Sequence, residues 1–177
     1  SSGCASANCA MSGGPGVIAQ GQTALAGIAA DAQNVYWADS GAHVVRFCPQ
    51  PTCAGGPKTF AQIAGTPFDV VSDGKTVYFT DRTGGNLYAC PASGCGSSPT
   101  VLASGLTGPH GLAIDGSELY VANHGSITIQ SLSKLDGTGL KNFAVSQLFP
   151  DRFATNATTL FWTANAKAFP ILYDLNK

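Results

Sequence analysis

One phrase recurs four times along the chain, and its spacing restricts the fold more than any other feature. Val35-Tyr36-Trp37-Ala38-Asp39 is followed by Val77-Tyr78-Phe79-Thr80-Asp81, by Leu119-Tyr120-Val121-Ala122-Asn123 and by Leu160-Phe161-Trp162-Thr163-Ala164. The four copies begin 42, 42 and 41 residues apart. A fixed period near this length, built from short β-branched and aromatic runs between Gly-rich turns, predicts propeller blades.

Each repeat divides into four short strands. The innermost reads 27–30, 69–72, 111–114 and 152–155, and the aromatic phrase is second. The third falls at 44–47, 87–89, 127–130 and 171–173, and the outermost at 58–61, 100–103 and 141–144. A further outer copy, Gly16-Val17-Ile18-Ala19, precedes the first repeat, with Ile18 placed 42 residues before Phe60. The expected fold is therefore an all-β, four-bladed propeller with four antiparallel strands per blade. The N-terminal strand at about 15–20 is expected to close the last blade and hide its edge. The whole of 1–177 reads as one domain, with repeats at about 23–63, 65–105, 107–146 and 148–177. Part of a larger propeller is the alternative, because residues 1–9 look like the tail of an earlier blade.

Six cysteines form three pairs of equal spacing: Cys4 and Cys9, Cys48 and Cys53, Cys90 and Cys95. The last two pairs occupy the same place in successive repeats. Recurrent even pairs across a Pro/Gly/Ser turn predict hairpin disulfides, and hence a secreted, periplasmic or cell-surface location. Their spacing lacks the close doublets of a zinc ribbon or a Cys-x-x-Cys redox site. The start Ser1-Ser2-Gly3-Cys4 suits either a processed end or an artificial boundary. Only 11% of residues are charged and the net charge is −1, so no basic face is available for nucleic acid. No apolar run is long enough to span a membrane as a helix. Asn156-Ala157-Thr158 fits the glycosylation acceptor pattern.

The repeats resemble those of the YWTD and NHL propeller families over about residues 15–175. Tyr36-Trp37-Ala38-Asp39 and Tyr78-Phe79-Thr80-Asp81 carry the first likeness. Pro109-His110-Gly111-Leu112-Ala113-Ile114-Asp115 and the phrase after it carry the second, which extends to lactonase-type blades. Function varies freely across these families, which usually have six blades or more. The likeness to gluconolactonase and paraoxonase-type propellers implies a metal ligand at the Asn of Pro-Asn-Gly. His110 stands there instead, a poor exchange for a hard cation that prefers oxygen.

Differences between repeats at the channel mouth carry the functional reading. The position after the recurrent proline, and its equivalent in the first repeat, reads Ala26, Phe68, His110 and Asp151, and the next reads Gly27, Asp69, Gly111 and Arg152. Phe68, Asp69, His110, Asp151 and Arg152, with His124, are the candidate ligand-binding residues. An acid–base role for His110 or His124 is the enzymatic version, and polar turn residues are the bland one. Asp73 and Asp115 read as turn formers, and Asp39, Asp81 and Asn123 as caps on neighbouring backbone. Trp37, Phe79 and Trp162 read as packing between blades.

The expected function is a rigid binding or scaffold module for protein, peptide or glycan, capable of self-association. The alternative is a lactonase- or lyase-like enzyme at the mouth. No cofactor is expected, although a channel-bound ion is compatible with the pattern.

Overall fold

The computed structural model describes residues 16–156, 158–165 and 171–176. Among the described residues, fifteen strands fall into four sheets whose strands follow one another in chain order. The first sheet holds β1 (Leu25–Ala30), β2 (Asn34–Asp39), β3 (Val44–Pro49) and β4 (Lys58–Gln62). The second holds β5 (Pro67–Ser72), β6 (Thr76–Asp81), β7 (Asn86–Pro91) and β8 (Thr100–Ala103). The third holds β9 (Pro109–Asp115), β10 (Glu118–Asn123), β11 (Thr128–Ser133) and β12 (Lys141–Ala144). The fourth holds β13 (Pro150–Thr155), β14 (Thr159–Ala164) and β15 (Ile171–Asn176). All pairing within the sheets is antiparallel, and the inner strands β1, β5, β9 and β13 pack successively against one another. This is a four-bladed propeller.

In blades 1 to 3 neither face of the second strand is exposed, which is why its sequence lacks polar alternation. Tyr36 of the first blade joins Phe60 and Ala61 against Val70, Val77 and Phe79 of the second. Tyr78 repeats this with Leu112 and Val121, and Tyr120 with Leu160 and Trp162. Phe79 and Trp162 thus pack between blades. Trp37 packs on Val35, Cys48, Cys53 and Ala19.

Disulfides join Cys48 to Cys53 and Cys90 to Cys95 across the turns that follow β3 and β7, with Cα separations of 4.7 and 5.6 Å. The pair Cys4 and Cys9 lies outside the described residues. The segment 16–20, expected as the closing strand, forms no strand, and the described fourth sheet ends at β15. Its Ala19 lies on the outer flank of blade 1, with Val17 and Ile18 exposed.

Every inner strand carries a bulge at the same end. Pro67 pairs with Asp81 and Val70 with Phe79, so Phe68 and Asp69 together oppose Thr80 alone. The same shift recurs between Leu25 and Ile28, between Pro109 and Leu112, and between Pro150 and Phe153. A bulge leaves one residue outside the ladder and re-aims its side chain. Four bulges around one end of the channel define the mouth.

Candidate binding site at the channel mouth

Threonines on the second strand hold two of the bulges. Asp69 N–H donates to Thr80 Oγ1 at 3.0 Å, and Arg152 N–H donates to Thr163 Oγ1 at 3.2 Å. The Thr80 hydroxyl in turn donates to the His110 carbonyl at 2.9 Å, tying blade 2 to blade 3. Small and large residues then alternate around the mouth. A Cβ on Gly27 would lie 2.1 Å from Asp69 Oδ1, and one on Gly111 would lie 2.1 Å from the Asp151 carbonyl oxygen. These two glycines admit their neighbours at close range, which any side chain would prevent.

Asp69 fills the space between them. Its Oδ2 accepts the Leu112 N–H at 2.9 Å and its Oδ1 meets Arg152 Nη1 at 3.0 Å. Burial pushes the Asp69 carboxyl above its ordinary range, despite these two partners. Below the ion pair, a cavity of about 440 Å³ is lined by Gly27, Ile28, Val70, Leu112 and Phe153.

The remaining candidates form a stack. The Phe68 and His110 rings lie 4.2 Å apart, His110 and His124 stack at 4.4 Å with 11° between planes, and His124 meets Phe149 at 4.8 Å. The guanidinium groups of Arg82 and Arg152 sit 5.3 and 5.1 Å from the Phe68 centroid. His110 lies within β9 and is only 6% exposed, so it is no surface turn residue. Its Nδ1 faces Asp151 Oδ1 at 3.2 Å. That contact, ahead of the opposing cost of burial, holds the Asp151 carboxyl below its usual range. A carboxylate kept ionised accepts, so Nδ1 carries the proton. Burial, and then the adjacent His110, push His124 down.

All six predicted mouth residues therefore take part in one connected cluster from blades 2, 3 and 4. Two members were not anticipated. Arg82 follows Asp81 as His124 follows Asn123, 42 residues later, so repeat position marks it. Phe149 precedes Pro150 with φ of 59°, a left-handed conformation unusual for a bulky residue. Gly108, its equivalent in blade 3, has φ of 60°. A phenylalanine at a position suited to glycine leaves no composition signal of its role.

Asp73 and Asp81 do the local work expected of them, whereas Asn123, expected to bond neighbouring backbone, donates its Nδ2 to the Gln130 side chain instead. Asp73 Oδ1 accepts the N–H groups of Lys75 and Thr76, and Asp81 Oδ1 those of Thr66 and Gly84. Asn156 Oδ1 likewise accepts the Thr158 and Thr159 N–H groups. Among the described residues, no group of three or more His, Cys, Asp or Glu side chains is arranged to hold a metal ion. No helix is long and apolar enough to cross a membrane among them.

No family model matches the chain, and no curated protein matches its sequence. Solved structures do match. A chain of the nidogen/laminin complex superposes with a TM-score of 0.71 at 23% identity, over 84% of this chain and 60% of that one. A catalytically inactive histidine-to-alanine variant of virginiamycin B lyase from Staphylococcus aureus, with quinupristin, gives 0.72 at 13% identity, over 94% of this chain and 58% of that one. The computationally designed Ika4 protein gives 0.66 at 12% identity, over 89% of this chain and 94% of that one. The chain thus spans about three fifths of the two larger proteins. What the three share with it is the fold, an all-β array of propeller blades.

Proposed function

We propose that this chain is an extracellular or cell-surface propeller that serves as a rigid binding module, taking a protein, peptide or glycan at the mouth, and that copies of it self-associate. The observation that carries the binding reading is the continuous stack Phe68–His110–His124–Phe149, flanked by two guanidinium groups. Aromatic faces and Arg are the groups that dominate recognition surfaces, and Phe68, His110 and Arg152 are held on strands. The two hairpin disulfides suit an oxidising location. The nidogen/laminin likeness supports a protein ligand. No cofactor is invoked.

Peptide and glycan arrays probed with the intact chain test this reading. Binding should fall at least about tenfold with Arg82→Ala and with Phe149→Ala, both exposed and so separable from folding. Ligands that ignore both substitutions would place recognition elsewhere.

A lyase-like activity is the second reading, and the His110–Asp151 contact favours it. An imidazole oriented by a carboxylate is the arrangement that general acid–base catalysis needs. The virginiamycin B lyase likeness suggests quinupristin as the first substrate to offer. Conversion by the intact chain, abolished in His110→Ala, would establish the enzyme. Absence of conversion leaves the binding reading alone.

A further inference from the structure

One repeat position separates blade 1 from its neighbours. Ile28 is 69% exposed, whereas Val70 and Leu112, at the same place in the next two inner strands, are 1% and 4% exposed. The cause is what lies alongside. Val70 is covered by blade 1 and Leu112 by blade 2. Leu25 is also exposed, while Pro67, Pro109 and Pro150 at its position are buried.

The unmatched surfaces are complementary. Each interblade core joins the tyrosine of one second strand to the next blade's following position: Tyr36 with Phe79, Tyr78 with Val121, Tyr120 with Trp162. Two residues of the series are left over, Phe161 on blade 4 and Trp37 on blade 1. Phe161 is only half-buried, unlike the three tyrosines. Beside Trp37 lies an apolar cavity of about 280 Å³ lined by Ile18, Leu25, Ala26 and Ile28. Ala19 packs on the Trp37 flank as Ala61, 42 residues later, packs on the Phe79 flank. Ala61 belongs to an outer strand paired with β3. Residues 16–20 therefore lie where the outer strand of a preceding blade belongs, and β15 has no outer partner among the described residues.

We infer that the blade 1 flank is the seat of blade 4 from a second copy of this chain, whose β15 pairs with residues 16–20. The occupant is a blade because the flank continues, position by position, the interface that blades 2, 3 and 4 already use. A second copy fits because one chain carries both unmatched faces, while its own blade 4 leaves Ile28 69% exposed. Two copies each offer one blade 4 and one blade 1 flank, so the contact is head-to-tail between copies. A net charge of −1 per chain offers little repulsion. This rests on the self-association half of the proposed function and names the faces that carry it.

Light scattering of the 177-residue chain over a dilution series tests it, with Ile28→Asp as the seam variant and Val101→Asp, on exposed β8, as the control. The expected result is a dimer that dissociates on dilution. Ile28→Asp should weaken it at least about tenfold, since a charge would enter an apolar seam, and Val101→Asp should not. Leu25→Glu replaces the seam variant if Ile28→Asp fails to give the native far-ultraviolet circular dichroism spectrum. A monomer at every concentration overturns both self-association and the seam. A dimer indifferent to the seam variants keeps self-association and overturns this assignment.

Discussion

Blade 1 and blade 3 use the same framework to hold different things at the mouth. At the end of β2, Asp39 Oδ1 accepts from Thr23 N–H, Thr23 Oγ1 and Ala24 N–H, while its Oδ2 meets Arg46 Nε at 3.1 Å. Burial pushes this carboxyl up, but these partners outweigh it and its pKa ends below the ordinary value. At the end of β10 the same two positions read Asn123 and Gln130, and Asn123 Nδ2 donates to Gln130 Oε1 at 2.8 Å. Asn123 Oδ1 is buried with no partner. Blade 1 anchors its entry loop with a carboxylate. In blade 3 the adjoining residues instead supply the histidine stack, and the entry loop keeps its backbone ties, His124 N–H to the Gly108 carbonyl at 3.1 Å and Gly125 N–H to the Thr107 carbonyl at 2.9 Å. The lesson is that a repeat can drop a structural tie at the one place where its side chains are used for something else.

The largest expected effect comes from cutting the blade 1 tie. Asp39→Ala should cost about 2–3 kcal/mol, because it removes a charged acceptor of several hydrogen bonds and strands Arg46. Asn123→Ala should cost no more than about 1 kcal/mol, having one neutral bond to lose. Equal losses in chemical denaturation would break the comparison.

Gly111→Ala comes next, at about 2 kcal/mol, because its Cβ would collide with the Asp151 carbonyl. It should also push Asp151 from His110, moving the histidine resonances. A stable variant with an unchanged spectrum would show that the blades do not approach this closely.

Grafting blade 1 onto blade 3 sharpens the contrast. Asn123→Asp alone buries a carboxylate without its cation and should destabilise, and adding Gln130→Arg should restore about 1 kcal/mol or more of favourable coupling. Additive effects in the double-mutant cycle would mean the two pairs are not equivalent.

The smallest effect is on pH dependence. Folding lowers the His124 pKa, so the stability it contributes is present above the unfolded value of about 6.5 and is lost as pH falls through the folded value. Stability should fall by less than about 1 kcal/mol below that unfolded value and above the carboxylate range, and His124→Gln should flatten the change. A variant with the parent's slope would remove His124 as the cause.

The blades were legible because their signals are local and repeated. Tyr36, Tyr78 and Tyr120 sit in apolar runs bounded by turn residues such as Asp73-Gly74, and these specify strand and register without reference to neighbours. The six mouth candidates were legible because repeat alignment isolates the positions where only one blade carries Phe, His or Arg. Arg82 occupied an equally visible position and went unread. Phe149 did not advertise itself, since its place depends on a left-handed backbone that glycine signals and phenylalanine does not. The bulges were hidden because each shows only as a shift of pairing register, although they set the mouth geometry. The fate of residues 16–20 was beyond a sequence reading too: Ile18 and Ala19 fit an outer strand, but whether they pair depends on which blade lies beside them.

The central claim is that three blades bring Phe68, His110, His124 and Phe149 into one stack. Imidazole resonances of the intact chain test it directly, by two-dimensional ¹H–¹⁵N and ¹H–¹³C NMR. Ring currents should move His110 and His124 upfield of exposed His43, with Nδ1 of His110 protonated against Asp151. Phe68→Ala should relax the His110 shift and Phe149→Ala that of His124. Resonances of all three histidines at the same unshifted positions, indifferent to both substitutions, would contradict the account.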